Sequence, residues 1–425
     1  YRFFVELSSE NVEIDEINSV DTYDYYTEHL NILKKIRANY LSILDENGFI
    51  DKVNFKDLYE INTTFLQKFS DIEINFEGYF PKVEFEIVKK ISKIVNLNIK
   101  FVSNEYNQKS LEVFKEILKE SIEENKAYTI NLSNNEIISK LDTTSKNKTV
   151  DIKAFSTRTN QIAYIKKSIE VCIKKGIEPS KIALVLPDEK FAREVELFDN
   201  EKYFNFAMGK SIKNSKLYQV AKTIYAYLNE KELKNLKALE FYKISKSQLE
   251  EIFEKNYNSF CTNEVFRKIV DYFREIEENQ ELLEKYDEMV FRLENLLFSS
   301  TNQLFVKDFL KVFIQRLDTI TLDDVNSGKI TVLGLLETRA NSFDAVIICD
   351  FNEKFIPKIS VKDKFLSTKI KELTNLPTVT DRQLLQKYYY KRLIDSSKHL
   401  FISYVKSDSS TISRFANELF DMKRI

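Results

Sequence analysis

Apolar residues recur along this chain with two periods, and their alternation predicts a mixed α/β protein. Leu30, Leu33, Tyr40, Leu41 and Leu44 lie at helical spacing, and Asn47-Gly48 supplies the left-handed stop such a helix needs. A second helix is expected over 55–69. Asp71-Ile-Glu-Ile-Asn-Phe76 alternates like a strand, Val83, Ile87, Ile91, Ile94 and Val95 return to helical spacing, and 97–102 reads as another strand. Strand, helix, strand at this separation implies a parallel βαβ unit with a right-handed crossover. The stretch 133–149, rich in Ser, Asn, Thr and Lys, reads as a surface connection or domain boundary.

Beyond it the pattern restarts. A strand over 150–155, a helix over 160–175 stopped by Gly176, and a strand over 181–186 make a second βαβ unit, with Pro187-Asp188 opening another helix. From Leu217 to Leu317 only charged amphipathic helices are expected, among them 265–277 and 282–297. Strands then return at 329–334, 343–349 and 399–405, with helices over 381–394 and from Ser413. The continuous apolar runs Ile182-Ala-Leu-Val-Leu186 and Val346-Ile-Ile-Cys349 are those of strands buried on both faces of a parallel sheet. The predicted organisation is therefore a first α/β lobe over 1–135 and a second made of 150–212 and 320–425. An all-helical insertion over 213–319 splits the second lobe.

Composition narrows this picture. The 425 residues suffice for about three domains at roughly 150 residues each. The six Gly and five Pro suit long helices and short turns. A net charge of -2 gives no global attraction for a polyanion, so any nucleic-acid contact must be local. Cys172, Cys261 and Cys349 have no metal-ligand or disulfide spacing, and His29 and His399 are the only histidines, so metal and Ser-His-Asp chemistry have little raw material. No apolar run nears the ~18 residues of a membrane span, and the start lacks a signal-peptide pattern. The expectation is a cytoplasmic protein that makes no membrane contact. A chain beginning at Tyr1 is expected to be a fragment of a longer product.

Gly209-Lys210-Ser211 imitates the end of a phosphate-binding P-loop, but the position five before that glycine is Phe204, so the loop cannot wrap phosphates. A turn with Gly209 at positive φ is the expected reading. The polar rim between the strands at 329–334 and 343–349 carries Glu337, Thr338, Arg339 and Asp344, followed by Asp350, Asn352, Glu353 and Lys354. Ligands in open α/β sheets gather at such strand ends.

Gly334-Leu-Leu-Glu-Thr-Arg339, then Phe343-Asp344, Asn352-Glu353 and Pro357, resembles motif V of superfamily 1 helicases of the UvrD and RecB kind. It is most similar to the AddB (RexB) family, the second subunits of the bacterial AddAB helicase-nucleases. Phe155-Ser-Thr-Arg158 with Asn160-Gln161, Phe204-Asn205-Phe-Ala-Met-Gly209, Leu376-Pro377-Thr378 with Asp381-Arg382-Gln383, and Ser413-Arg414-Phe415 are similar to further stretches of that family.

The resemblance implies two RecA-like lobes with the helical insertion in the second, and family-motif roles for Asn205, Gly209, Glu337, Asp344, Glu353, Gln383 and Arg414. It also implies departures from an active motor. The P-loop is missing, no acidic pair follows the strand at 72–76, and Asp395 stands where motif VI places an arginine against a triphosphate. The family's nuclease and iron-sulfur cluster have no counterpart here, since Asp350-Phe-Asn-Glu-Lys354 is too short to imitate a nuclease strand pair. The expected function is an inactivated helicase-like scaffold in double-strand-break repair and recombination, with no cofactor and no metal in this stretch. It would bind an AddA-like motor subunit and guide single-stranded DNA or duplex ends. Arg158, Thr338, Arg339, Asn352 and Arg382 are the candidate DNA contacts, with interdomain salt bridges around Glu337 and Asp344 the alternative for each. Two other readings stay open. One is an active ATP-dependent helicase or exonuclease whose Walker A and nuclease motifs lie outside this stretch. The other is an unrelated doubly wound small-molecule enzyme.

Overall fold

The computed structural model describes residues 1–17, 24–143, 148–298, 304–322, 329–358 and 366–420. Parts of the expected second lobe and insertion, at 299–303, 323–328, 359–365 and 421–425, lie outside the described residues. The chain divides into two compact units, one of Tyr1–Asn205 with Gly328–Ile425 and the other of Phe206–Ser327.

The first unit contains two sheets. Strands β1 (Asp71–Asn75), β2 (Asn96–Val102), β3 (Lys126–Asn131) and β4 (Glu136–Asp142) form a four-stranded sheet in that order. The β1–β2 pair is parallel and joined by the helix Lys82–Ser92, as the periodicity predicts. The β2–β3 and β3–β4 pairs are antiparallel. The stretch 133–149 is thus corrected from a surface connection. Its residues Glu136–Asp142 form β4, entered through a turn in which Asn135 takes φ +58. Its polar composition reflects an outer strand alternating between exposed and half-buried positions. The helix expected over 55–69 is also corrected, to a 3-10 turn at Phe55–Asp57 and a single turn at Thr63–Leu66. Asn62 accepts from the Phe65 amide and starts that second turn afresh. Leu58, Phe65 and Phe69 stay exposed and Leu66 is buried, which leaves too little apolar face to hold a longer helix.

The second sheet is the frame of the unit. Its strands are β5 (Thr149–Phe155), β6 (Ile182–Val185) and β7 (Phe204–Phe206), and, after the second unit's short β8 (Lys210–Ser211) and β9 (Thr321–Leu322), β10 (Ile330–Leu333), β11 (Ala345–Ile348) and β12 (His399–Val405). The order is β5-β12-β11-β6-β10-β7, and the five strands from β5 to β10 run parallel. Every residue of β6 and β11 is buried. Alternate residues Ala183, Val185, Val346, Ile348, Leu400 and Ile402 pack with Tyr390, Leu393 and Ile394 of the helix Val379–Ser396. The helix Asn160–Lys174 lies against β6, β11 and β12. Both faces being covered is the reason these strands read as unbroken apolar runs.

The second unit holds helices at Lys216–Asn229, Leu233–Phe241, Asn263–Glu275, Gln280–Phe298 and Val306–Leu317. They share one core in which Phe253, Phe266, Phe273, Phe309 and Phe313 are fully buried. Gly209 has φ +74, and Lys210–Ser211 pairs antiparallel with Thr321–Leu322 in place of starting a helix. Among the described residues, no helix is long and apolar enough to cross a membrane.

Candidate functional site

The carboxyl ends of β5, β6, β10, β11 and β12 converge on one edge of the six-stranded sheet. Asp350, two residues past β11, is the hub there and is 1% exposed. Arg158, three residues past β5, places Nε and a terminal nitrogen each 2.6 Å from Asp350 Oδ2, and donates to Asp188 Oδ2 at 2.8 Å. Its guanidinium lies 4.4 Å from the Phe191 ring centre and 5.2 Å from that of Phe355. Gln161, fully buried at the start of its helix, completes the cluster. Its Nε2 donates to Asp350 Oδ1 at 2.7 Å, and its Oε1 accepts from the Asp350 amide and the Ser403 hydroxyl. Burial pushes the Asp350 carboxyl above the usual carboxylate range, against the opposing pull of Arg158.

This arrangement decides what the sequence candidates can do. Asn352 is 1% exposed, donates through Nδ2 to Val405 O, Ser410 Oγ and Thr411 O, and accepts from the Val405 amide. It clamps the β11 and β12 ends together, and both polar atoms of its side chain are engaged within the protein. Thr338 is also 1% exposed, with its hydroxyl donating to Leu335 O. Glu353 pairs with Arg414 at 3.0 Å and accepts from its amide, so these two residues brace the same loop. Arg382 donates to Glu6 at 2.6 Å. Gln383 is half-buried on the helix Val379–Ser396, and Asn205 is half-buried in β7.

Asp344 and Asp395 belong to the opposite, amino-terminal edge of the sheet. Asp344 precedes β11 and pairs with Lys398 at 3.2 Å. Asp395 is held by Lys148 and by Lys391, so its charge is neutralised there. Glu337 is exposed beside Gly334, where a side chain on Gly334 would meet Glu337 Oε2 at 2.6 Å.

Arg339 remains exposed. Its Nε donates to Leu336 O, and its guanidinium lies 5.9 Å from the Tyr389 ring centre. The loop that carries it is tied to the first sheet by residues outside the sequence-derived set. Arg392 donates to Thr338 O and Asn341 O and sits 2.7 Å from Glu77, which follows β1 and accepts from the Ala340 amide. Burial raises the Glu77 carboxyl despite its neighbours Arg392 and Arg339. No local pattern marks the Glu77–Arg392 and Glu77–Ala340 contacts, because each joins residues more than 250 positions apart in sequence.

Beside Arg158 the same edge opens into a cavity of about 370 Å³ lined by Lys190, Lys354, Lys358, Phe355, Asp188 and Glu189. Three ammonium groups and a phenyl ring against two carboxylates suit an anionic group with a flat apolar part. Asp188 already serves Arg158, which leaves the lysines in excess. The cue in the sequence is Lys354-Phe355 and Lys358 directly after a buried strand, a position where ligands gather. Among the described residues no cluster of His, Cys, Asp and Glu is placed to hold a metal ion. No protein-family model matches the chain, and no curated protein matches it.

Proposed function

We propose that this chain is a noncatalytic, helicase-like scaffold of the AddB type, a RecA-like lobe with a helical insertion, that guides single-stranded DNA along the carboxyl edge of its six-stranded sheet. The observation that carries the reading is the cavity of Lys190, Lys354, Lys358 and Phe355 at that edge. Phosphates would meet the lysines and an unpaired base would stack on Phe355, with the exposed Arg339 extending the track. Arg158 serves as the structural pin of the edge, since its charge is spent on Asp350 and Asp188. The role in double-strand-break repair and the partnership with an AddA-like motor rest on the sequence resemblance alone.

The test is fluorescence anisotropy with an oligothymidylate. Binding should weaken steeply with salt, and Lys190→Glu, Lys354→Glu and Lys358→Glu together should lower affinity at least about tenfold and flatten the salt slope. An unchanged affinity in the triple variant would overturn the proposed track. Tight Mg-ATP binding by the same chain would overturn the scaffold reading in favour of a motor.

A further inference from the structure

A second cavity, of about 470 Å³, lies in the first unit. One face of the helix Arg2–Ser9 forms a wall through Arg2, Val5, Glu6 and Ser9, which recur at helical spacing. Tyr79, Tyr106, Leu384 and Leu385 add a largely apolar lining. The volume falls within the ~300–1,000 Å³ typical of small-molecule sites.

The polar groups are unequally satisfied. Glu6 is held by Arg382 at 2.6 Å and Lys371 at 3.5 Å, and Asp381 by Lys109 at 2.7 Å. Glu10, at the end of the helix, is different. It lines the cavity, is 3% exposed, and its Oε2 has no hydrogen-bond partner among the described residues. The Tyr79 hydroxyl and the Lys82 amide serve the carboxyl, and burial nevertheless raises it above the usual range, with Glu6 adding repulsion and the Lys82 charge opposing. Among the lining residues three acids, Glu6, Glu10 and Asp381, stand beside three bases, Arg2, Lys109 and Arg382, with Lys371 and Lys82 also acting on Glu6 and Glu10. Selection falls to the unserved carboxylate oxygen, which needs an N–H donor, best a charged one.

We propose that this cavity binds a small organic cation, an apolar body bearing an amine or amidinium group whose N–H is donated to Glu10. The source is either a free metabolite-sized amine or a lysine or arginine side chain of a partner, and both present the same chemistry. Such a ligand would bury its carbon skeleton against Val5, Leu384 and Leu385 and complete the hydrogen bonding of Glu10 in one step.

Benzamidine is a direct probe, with an arginine-bearing tripeptide as the second arm. Isothermal titration of the full chain should give saturable one-to-one binding to benzamidine with Kd below about 1 mM, and isosteric neutral benzamide should bind at least about tenfold more weakly. Tripeptide binding tighter than benzamidine would assign the site to a partner side chain, and the reverse to a free amine. Glu10→Gln should cost at least about tenfold in benzamidine affinity. Leu385→Trp, which fills the cavity without touching the carboxylate, should abolish binding while circular dichroism confirms a folded protein. Benzamidine affinity unchanged in Glu10→Gln, no saturable binding by the unaltered chain, or equal affinity for benzamide would each overturn the proposal. Oligothymidylate affinity should not change in Glu10→Gln, which separates this site from the DNA track.

Discussion

Replacing Arg158 by Met should destabilise the first unit by about 3 kcal/mol at pH 7, because it strands a buried carboxylate. Asp350 is 1% exposed and receives two of its hydrogen bonds from Arg158 at 2.6 Å, leaving only Gln161 Nε2 on the other oxygen. With charge centres about 4 Å apart and an effective dielectric near 20, the lost attraction is about 4 kcal/mol. Breaking a buried pair by removing one partner typically costs about 3–5 kcal/mol. Arg158 is itself 26% exposed, and Met keeps part of the packing on Phe191, so the lower end applies.

The pH dependence gives an independent check on sign. The folded-state pKa of Asp350 lies above its ordinary value, chiefly through burial, and losing Arg158 raises it further. A raised acid contributes stability that is fully present below the unfolded pKa and is lost as pH rises through the folded one. The cost of Arg158→Met should therefore shrink as pH falls toward 4, where Asp350 is protonated in variant and parent alike. Urea unfolding of the parent, Arg158→Met, Asp350→Asn and the double variant forms the assay, and the double variant should recover at least half of the loss. A cost below about 1 kcal/mol with no coupling in the cycle would refute the view that the pair is the pin of this edge.

Three further outcomes follow from particular contacts. Arg392→Met should cost about 2–4 kcal/mol, since it unpairs the largely buried Glu77. Hydrogen exchange should then quicken first in the loop around Thr338, and uniform protection would show that Arg392 is not what holds it. Gly209→Ala should cost about 1–3 kcal/mol, because φ is +74 and the new Cβ would lie 3.0 Å from Thr321 Cβ and 3.2 Å from Leu322 O; an unchanged denaturation midpoint for the helical unit would count against that. Glu10→Gln should raise stability by about 1 kcal/mol at pH 7. Because Glu10 is raised, the gain should fade as pH drops through its folded pKa toward 4.5, and a gain that persisted there would contradict the burial argument.

The second sheet is largely legible in the sequence, and the reason is physical. β6 and β11 are buried on both faces, so four consecutive apolar residues mark each of them, and the helix Asn160–Lys174 ends where Gly176 takes φ +80. The first sheet was legible only in its parallel half. β4 is covered on one side at most, with Ile138 and Leu141 more than half exposed, so its pattern is diluted by Ser, Lys and Asp. The helix predicted over 55–69 had the spacing of a helix and too little apolar face to bury. At the site, the residue types at the strand ends could be read, but their allocation could not. Arg158, Thr338 and Asn352 are consumed internally by partners as distant in sequence as Asp350 and Val405, and only the fold brings those together.

That allocation divides the carboxyl edge of the sheet into two layers with different duties. The inner layer of Arg158, Asp350, Gln161, Ser403 and Asn352 is saturated with hydrogen bonds and fixes where β5, β11 and β12 end. The outer layer of Lys190, Lys354, Lys358 and Phe355 carries three lysine charges, with Lys354 lying over the Phe355 ring, on a base that the inner layer makes rigid. A ligand that meets the lysines loses little by ordering them, because Phe355 sits over the pinned Arg158 and its loop is braced by Glu353 and Arg414. The consequence is a distinction between variants. Changes in the outer layer should alter affinity and salt dependence at constant stability, whereas changes in the inner layer should lower stability first and affinity only through the loop they release.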